Sequence, residues 1–112
     1  MNQNNLLTET LIAVTKDFDI QPLDFELLHL DENALLNEIK KNLTDKIKTF
    51  LDNNIEKLLT ILYRIDIQED TIKKIFSEYN KNEIPLVIAD IIIERQLDKI
   101  KTRQLYRNRN TD

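Results

Sequence analysis

Apolar positions recur along most of this chain at the three- and four-residue spacing of helices that bury one face. Leu35, Leu36, Ile39, Leu43, Ile47 and Phe50 form one such stripe, and Asp31 ahead of it can cap a helix running to about Leu51. Asp52-Asn53-Asn54 interrupts the pattern. Asn53, with Glu56 three residues on, has the form of a capping box for a next helix carrying Ile55, Leu58, Leu59, Leu62 and Ile65. Asp66 and Glu69 repeat that arrangement before Ile72, Ile75, Phe76 and Tyr79. Asn82 can cap a last long helix from Ile84 to Arg107, whose first turn tolerates Pro85 because no intrahelical amide is needed there.

The front of the chain carries two patterns. Leu7, Leu11 and Val14 have helical spacing, whereas Ile12, Val14, Phe18 and Ile20 alternate as in a strand. A lone strand would have no partner, so a helix over residues 5–17 is preferred. Pro22 then breaks the pattern, and Leu23, Phe25, Leu27, Leu28 and Leu30 read as an apolar strap laid over a core. The expected architecture is all-α: one compact bundle of four to five helices. Residues 1–30 form its N-terminal helix and strap, 31–107 its core and 108–112 a polar tail.

Composition narrows the chemistry. The 112 residues include no glycine and no cysteine. Tight hairpins, phosphate-cradling loops and dinucleotide fingerprints all rely on glycine, and thiolate metal sites, disulfides and thiol nucleophiles all need cysteine. His29 is the one histidine, and no helical His-x-x-x-His or Glu-x-x-His pattern accompanies it. Ser77 is the one serine and lies in no nucleophile elbow. No catalytic set, metal site or cofactor is expected. The N-terminus lacks the basic start and apolar centre of a signal peptide, and the run from Ile84 to Ile93 is too short to span a bilayer. A cytoplasmic protein without a membrane partner is the expectation.

The net charge of −4 conceals a gradient, for residues 1–39 are strongly acidic and residues 95–112 are basic. The last helix contains the transition. Ile84, Val87, Ile88, Ile91 and Ile92 load one face of its first half, and Ala89, Ile93, Leu97, Ile100 and Gln104 lie roughly opposite. The stripe through Ile93, Leu97 and Ile100 must pack on the N-terminal helix or on a second copy of the chain. With Arg95, Lys99, Lys101, Arg103, Arg107 and Arg109 it forms the candidate interaction surface, for a protein partner or a homodimer. The same cations complement the helix dipole at its C-terminal end. A nucleic-acid contact is the alternative reading, although such contacts ordinarily use more net positive charge and stacking aromatics, and only Tyr106 is near. Arg64 and Glu94 interrupt apolar segments and are the candidate ion pair between two helices, with Asp90 as the alternative acid, either as a structural tie or as a junction that handles anions.

Two segments, Ile61-Leu62-Tyr63-Arg64-Ile65-Asp66 and the run IADIIIERQLDKIKTRQ from Ile88 to Gln104, resemble a family of small uncharacterised bacterial helical proteins. In that family a LYRID helix end precedes an IIERQ..KIKTR terminal helix. The resemblance covers roughly residues 43–104. It implies a helical fold and a bacterial cytoplasmic setting, and no activity.

Overall fold

A computed structural model describes the backbone of residues 3–20 and 31–110, with side chains over 6–20 and 31–107. Five α-helices follow one another: α1 (Gln3–Asp17), α2 (Glu32–Asn53), α3 (Ile55–Arg64), α4 (Glu69–Glu78) and α5 (Ile84–Asn110). No strand occurs among the described residues. The strap expected over Pro22 to Leu30, His29 included, lies outside them.

The helix expected at the front is present. Leu11, Val14 and Phe18 are buried, whereas Ile12, which the strand pattern would have turned inward, is exposed. Thr10 is also buried, and its hydroxyl satisfies itself by donating to the Leu6 carbonyl at 2.7 Å. On α2 the buried residues are Leu35, Ile39, Leu43 and Ile47, one face at the expected spacing. Leu58, Ile61 and Leu62 of α3 and Ile72 and Ile75 of α4 extend the same core. The last helix is about 40 Å long at 1.5 Å per residue. Ile84, Ile88, Ala89 and Ile92 are buried in the first half of α5, with Val87 and Ile91 half-buried beside them. This helix packs on α1, α2 and α4, more extensively on the first two.

Caps determine where the helices begin. Asp31 accepts from the Ala34 amide at 2.7 Å, as its position before α2 predicts. The other caps differ from expectation in register. Asn53 is the last residue of α2, and Asn54 is the residue whose side chain accepts from the Lys57 amide at 3.2 Å. One asparagine thus closes α2 and opens α3, which leaves no spare residue between them. Before α5 it is Asn80, not Asn82, that accepts from the amides of Asn82 and Glu83, each at 3.1 Å. Glu83 reciprocates by accepting from the Asn80 amide at 3.4 Å, completing a capping box. Asp66 does not cap α4, whose N-cap is Gln68 without a side-chain bond. Glu69 and Asp70 in the first turn of α4 favour its positive end instead.

Asp66 serves to end α3. Its φ is 67°, in the left-handed region, and Asp19 after α1 has φ 49°. At both places the backbone closes the helix identically. Asp19 donates to the Lys16 carbonyl and Ile20 to that of Thr15; Asp66 donates to Tyr63 and Ile67 to Leu62. These are Schellman closures, which usually employ glycine at the left-handed position. Lacking glycine, the chain uses aspartate, one of the few other residues that tolerate this conformation. An isoleucine follows each time, and Ile67 is buried against the core while Ile20 is half-buried on it.

Two outcomes are expected in denaturant unfolding. Leu43→Ala, at a fully buried site on α2, should lower stability by about 2–5 kcal/mol. Asp19→Gly should raise it by up to about 1 kcal/mol, by relieving the left-handed strain at an exposed position. A loss of stability in Asp19→Gly would show that the aspartate side chain, and not backbone tolerance, holds that turn.

Candidate functional site

The expected tie between Arg64 and Glu94 does not form. Both side chains are exposed, and neither has an ionic partner among the described residues. The reason is the turn after α3. Because Ile65 and Ile67 both bury, the Asp66 between them is presented to α5 while Arg64 stays on the outer face. Asp66 meets two cations one helical turn apart, Arg95 at 3.8 Å and Lys99 at 3.5 Å. Arg95 also donates through Nε to the Ile65 carbonyl at 3.3 Å, close to the end of α3. The ionic contacts at this junction are thus made by Asp66, Arg95 and Lys99, while Asp90 pairs with Lys40. As the Asp66 carboxylate is largely solvated, these pairs contribute modestly, about 1 kcal/mol or less each.

The stripe expected to bind a partner is largely withdrawn from solvent within the chain. Ile100 is only 4% exposed, and Ile93 and Leu97 are half-buried. The two helices run antiparallel, for Gln96 donates to the Asp17 carboxylate while Gln104 donates to Glu9 at 3.3 Å. Arg107 also reaches Glu9, at 3.8 Å. The contacts that α5 makes with α1 beside this stripe run through Gln96, Gln104 and Arg107, and Ile93 and Leu97 stay partly exposed. Arg95, Lys99 and Arg107 are engaged within the chain, whereas Lys101 and Arg103 are exposed without an acidic partner among the described residues. The Arg109 side chain lies outside the described residues. The helix itself continues to Asn110, past the expected boundary of the tail.

Gln96 is a residue that the apolar pattern did not single out. It is 6% exposed, and its hydrogen bond joins positions 79 residues apart. Its partner in space could not be read from local spacing.

An apolar surface that the sequence pattern did not isolate lies elsewhere, on α3 and α4. These helices barely touch, since α3 packs on α2 and α4 packs on α5. Between them opens a groove of about 500 Å³. Ile55, Leu59 and Tyr63 line its α3 wall at i, i+4 and i+8, and Ile72, Lys73 and Phe76 line its α4 wall. Ile55 is 43% exposed, Tyr63 45% and Phe76 38%. At Ile55 and Phe76 the groove continues into a wider mouth of about 790 Å³, bordered by Lys48, Leu51, Asp52, Lys81, Asn82, Ile84 and Pro85. The sequence holds the apolar surplus of α3 but not the helix crossing that opens the groove. Ile55, Leu59 and Tyr63 extend one edge of the buried stripe of Leu58, Ile61 and Leu62, so α3 carries more apolar surface than one core contact requires.

Titratable groups do not converge in this groove. Its ionic contact is the exposed i,i+4 pair of Lys73 with Glu69, at 3.4 Å. Among the described residues no three His, Cys, Asp or Glu side chains are grouped so as to hold a metal ion, and no helix is long and apolar enough to cross a membrane. Compared with protein-family models, with curated proteins and with solved structures, the chain matches none. The resemblance carried by Ile61 to Asp66 and Ile88 to Gln104 therefore rests on those segments alone.

Replacing Gln96 should be costly. Gln96→Leu leaves the half-buried Asp17 carboxylate without its donor, and should lower stability by about 1–3 kcal/mol. Gln104→Leu, further along the same seam and half-exposed, should change stability by less. Equal effects in chemical denaturation would show that the buried hydrogen bond has no special weight.

Proposed function

We propose that the chain is a non-enzymatic protein-interaction module that receives an apolar segment of another protein in the groove between α3 and α4. The observation that carries this proposal is the pair of splayed helices, which leaves Ile55, Tyr63 and Phe76 half in water around one depression. Isolated apolar side chains are normal on a protein surface, but a contiguous group lining a concavity marks a contact site. Such grooves take the apolar face of a helix, with anchors at about every turn. The i, i+4, i+8 wall of α3 has the matching periodicity. The setting proposed is the bacterial cytoplasm, on the sequence resemblance alone.

The basic end of α5 is the weaker candidate. Three of the cations that define it are already engaged by Asp66 and Glu9. What favours it is the exposure of Leu105 and Tyr106 beside Lys101 and Arg103, a small apolar and basic patch that could meet an acidic protein or a polynucleotide.

Paired variants separate the two. Tyr63→Ser with Phe76→Ser should cost less than about 3 kcal/mol, since neither side chain is fully buried, and should abolish capture of a specific partner from native lysate. Leu105→Ser with Tyr106→Ser should leave that capture intact. The opposite result, or retention on polynucleotide that falls steeply with salt, would move the function to the end of α5.

A further inference from the structure

The groove has a polarity, and from it we infer the kind of segment it takes: an amphipathic helix of another protein, carrying Asp or Glu at the end that lies by Lys48 and Lys81. This inference rests on the proposed docking role of the groove and specifies its occupant. The charges along the groove differ from end to end. By Tyr63, Glu69 is paired with Lys73, and Asp66 is held by Arg95 and Lys99. By Ile55 and Phe76, where the groove widens, Lys48 and Lys81 border the mouth, and neither has an ionic partner among the described residues. Asp52 is the one acid lining that mouth. The first residues of α3 and α5, Ile55 and Ile84, lie there too. Helix N-termini carry partial positive charge, and that field adds to the two lysines. The end of α2 contributes the opposite sign at the same place, so the lysines decide the balance.

Size favours a helix over a second copy of the chain. The exposed fractions of Ile55, Tyr63 and Phe76 leave on the order of 250 Å² of apolar side chain, against roughly 800 Å² per partner in a lasting dimer. The α3 wall from Ile55 to Tyr63 is about 12 Å long, which matches two turns of a docked helix with anchors at i, i+4 and i+7. Like charges oppose any seating of a second copy that sets the exposed Lys101 and Arg103 of α5 beside Lys48 and Lys81. An acidic helix end meets the opposite condition.

The test uses the full chain and a displayed library of 14-residue helices. Each member carries fixed apolar residues at i, i+4 and i+7, with every other position randomised. Selection should enrich Asp and Glu at one end of the helix. Enriched peptides should shift backbone amide resonances of Ile55, Leu59, Tyr63, Ile72 and Phe76. The double variant Lys48→Glu, Lys81→Glu should bind them about ten-fold more weakly, while its own amide spectrum shows the fold intact. Peptides that shift the groove without acidic enrichment, or that bind this variant equally well, overturn the charge inference and leave the docking role standing. Failure to enrich any peptide, or shifts confined to other surfaces, overturns both. Concentration-dependent groove shifts in the chain alone, matched by dimer mass in sedimentation, would make a second copy the occupant and overturn the inference as well.

Discussion

The structure depends on one shared contact: the buried side of α5, packed against helices from three other parts of the chain. Ile88, Ala89 and Ile92 lie in the core, and α1, α2 and α4 each contact this helix. Every apolar side chain of Ile or Leu size removed from water contributes about 1.5–3 kcal/mol, and α5 concentrates such burial in a single element. Neighbouring helices therefore gain most of their order by docking on it. Ala89 matters here through its size, since a small side chain at a fully buried position lets a neighbouring helix approach closely. Its second half, from Gln96 onward, is tied to α1 by the polar contacts of Asp17 and Glu9, and Ile100 is buried there.

The open groove follows from how α3 and α4 are tied. Asn54 closes α2 and opens α3 without an intervening residue, so α3 folds back directly onto α2. The Schellman closure at Asp66 then turns the chain towards α5, where Ile72 and Ile75 bury. Each short helix satisfies its inner face against a different long helix. Their facing sides meet over little area, and Ile55, Leu59, Tyr63 and Phe76 are left around the gap. Surplus apolar surface on two ten-residue helices is thus a product of the connections as much as of composition.

Much of the architecture was legible from spacing. The stripes through Leu35 to Phe50 and through Ile84 to Ile92 specified helices and their inner faces, and Asp31 was identified as a cap at its true position. Capping asparagines were misplaced where several polar residues adjoin, because Asn53 and Asn54, or Asn80 and Asn82, have the same capping chemistry. Which of them caps depends on where the flanking apolar faces settle. The ion pair at the end of α3 failed for a similar reason: Arg64 and Asp66 differ by two residues, and only the left-handed turn at Asp66 determines which one meets α5. The groove and the bond between Gln96 and Asp17 depend on helix crossing and on distant positions, which periodicity does not encode.

The polar seam between α1 and α5 has a consequence for alignment. Two helices joined by leucine and isoleucine alone can slide by a turn at little cost, because one apolar side chain replaces another. Here a slip of one turn would carry the buried Gln96 amide from Asp17 to Ala13, which has nothing to accept its hydrogens. A buried amide left without a partner is penalised, so the pair acts as a key that admits one vertical setting of α1. The isoleucines and leucines hold the two helices together, and a glutamine and an aspartate select the height at which they lock.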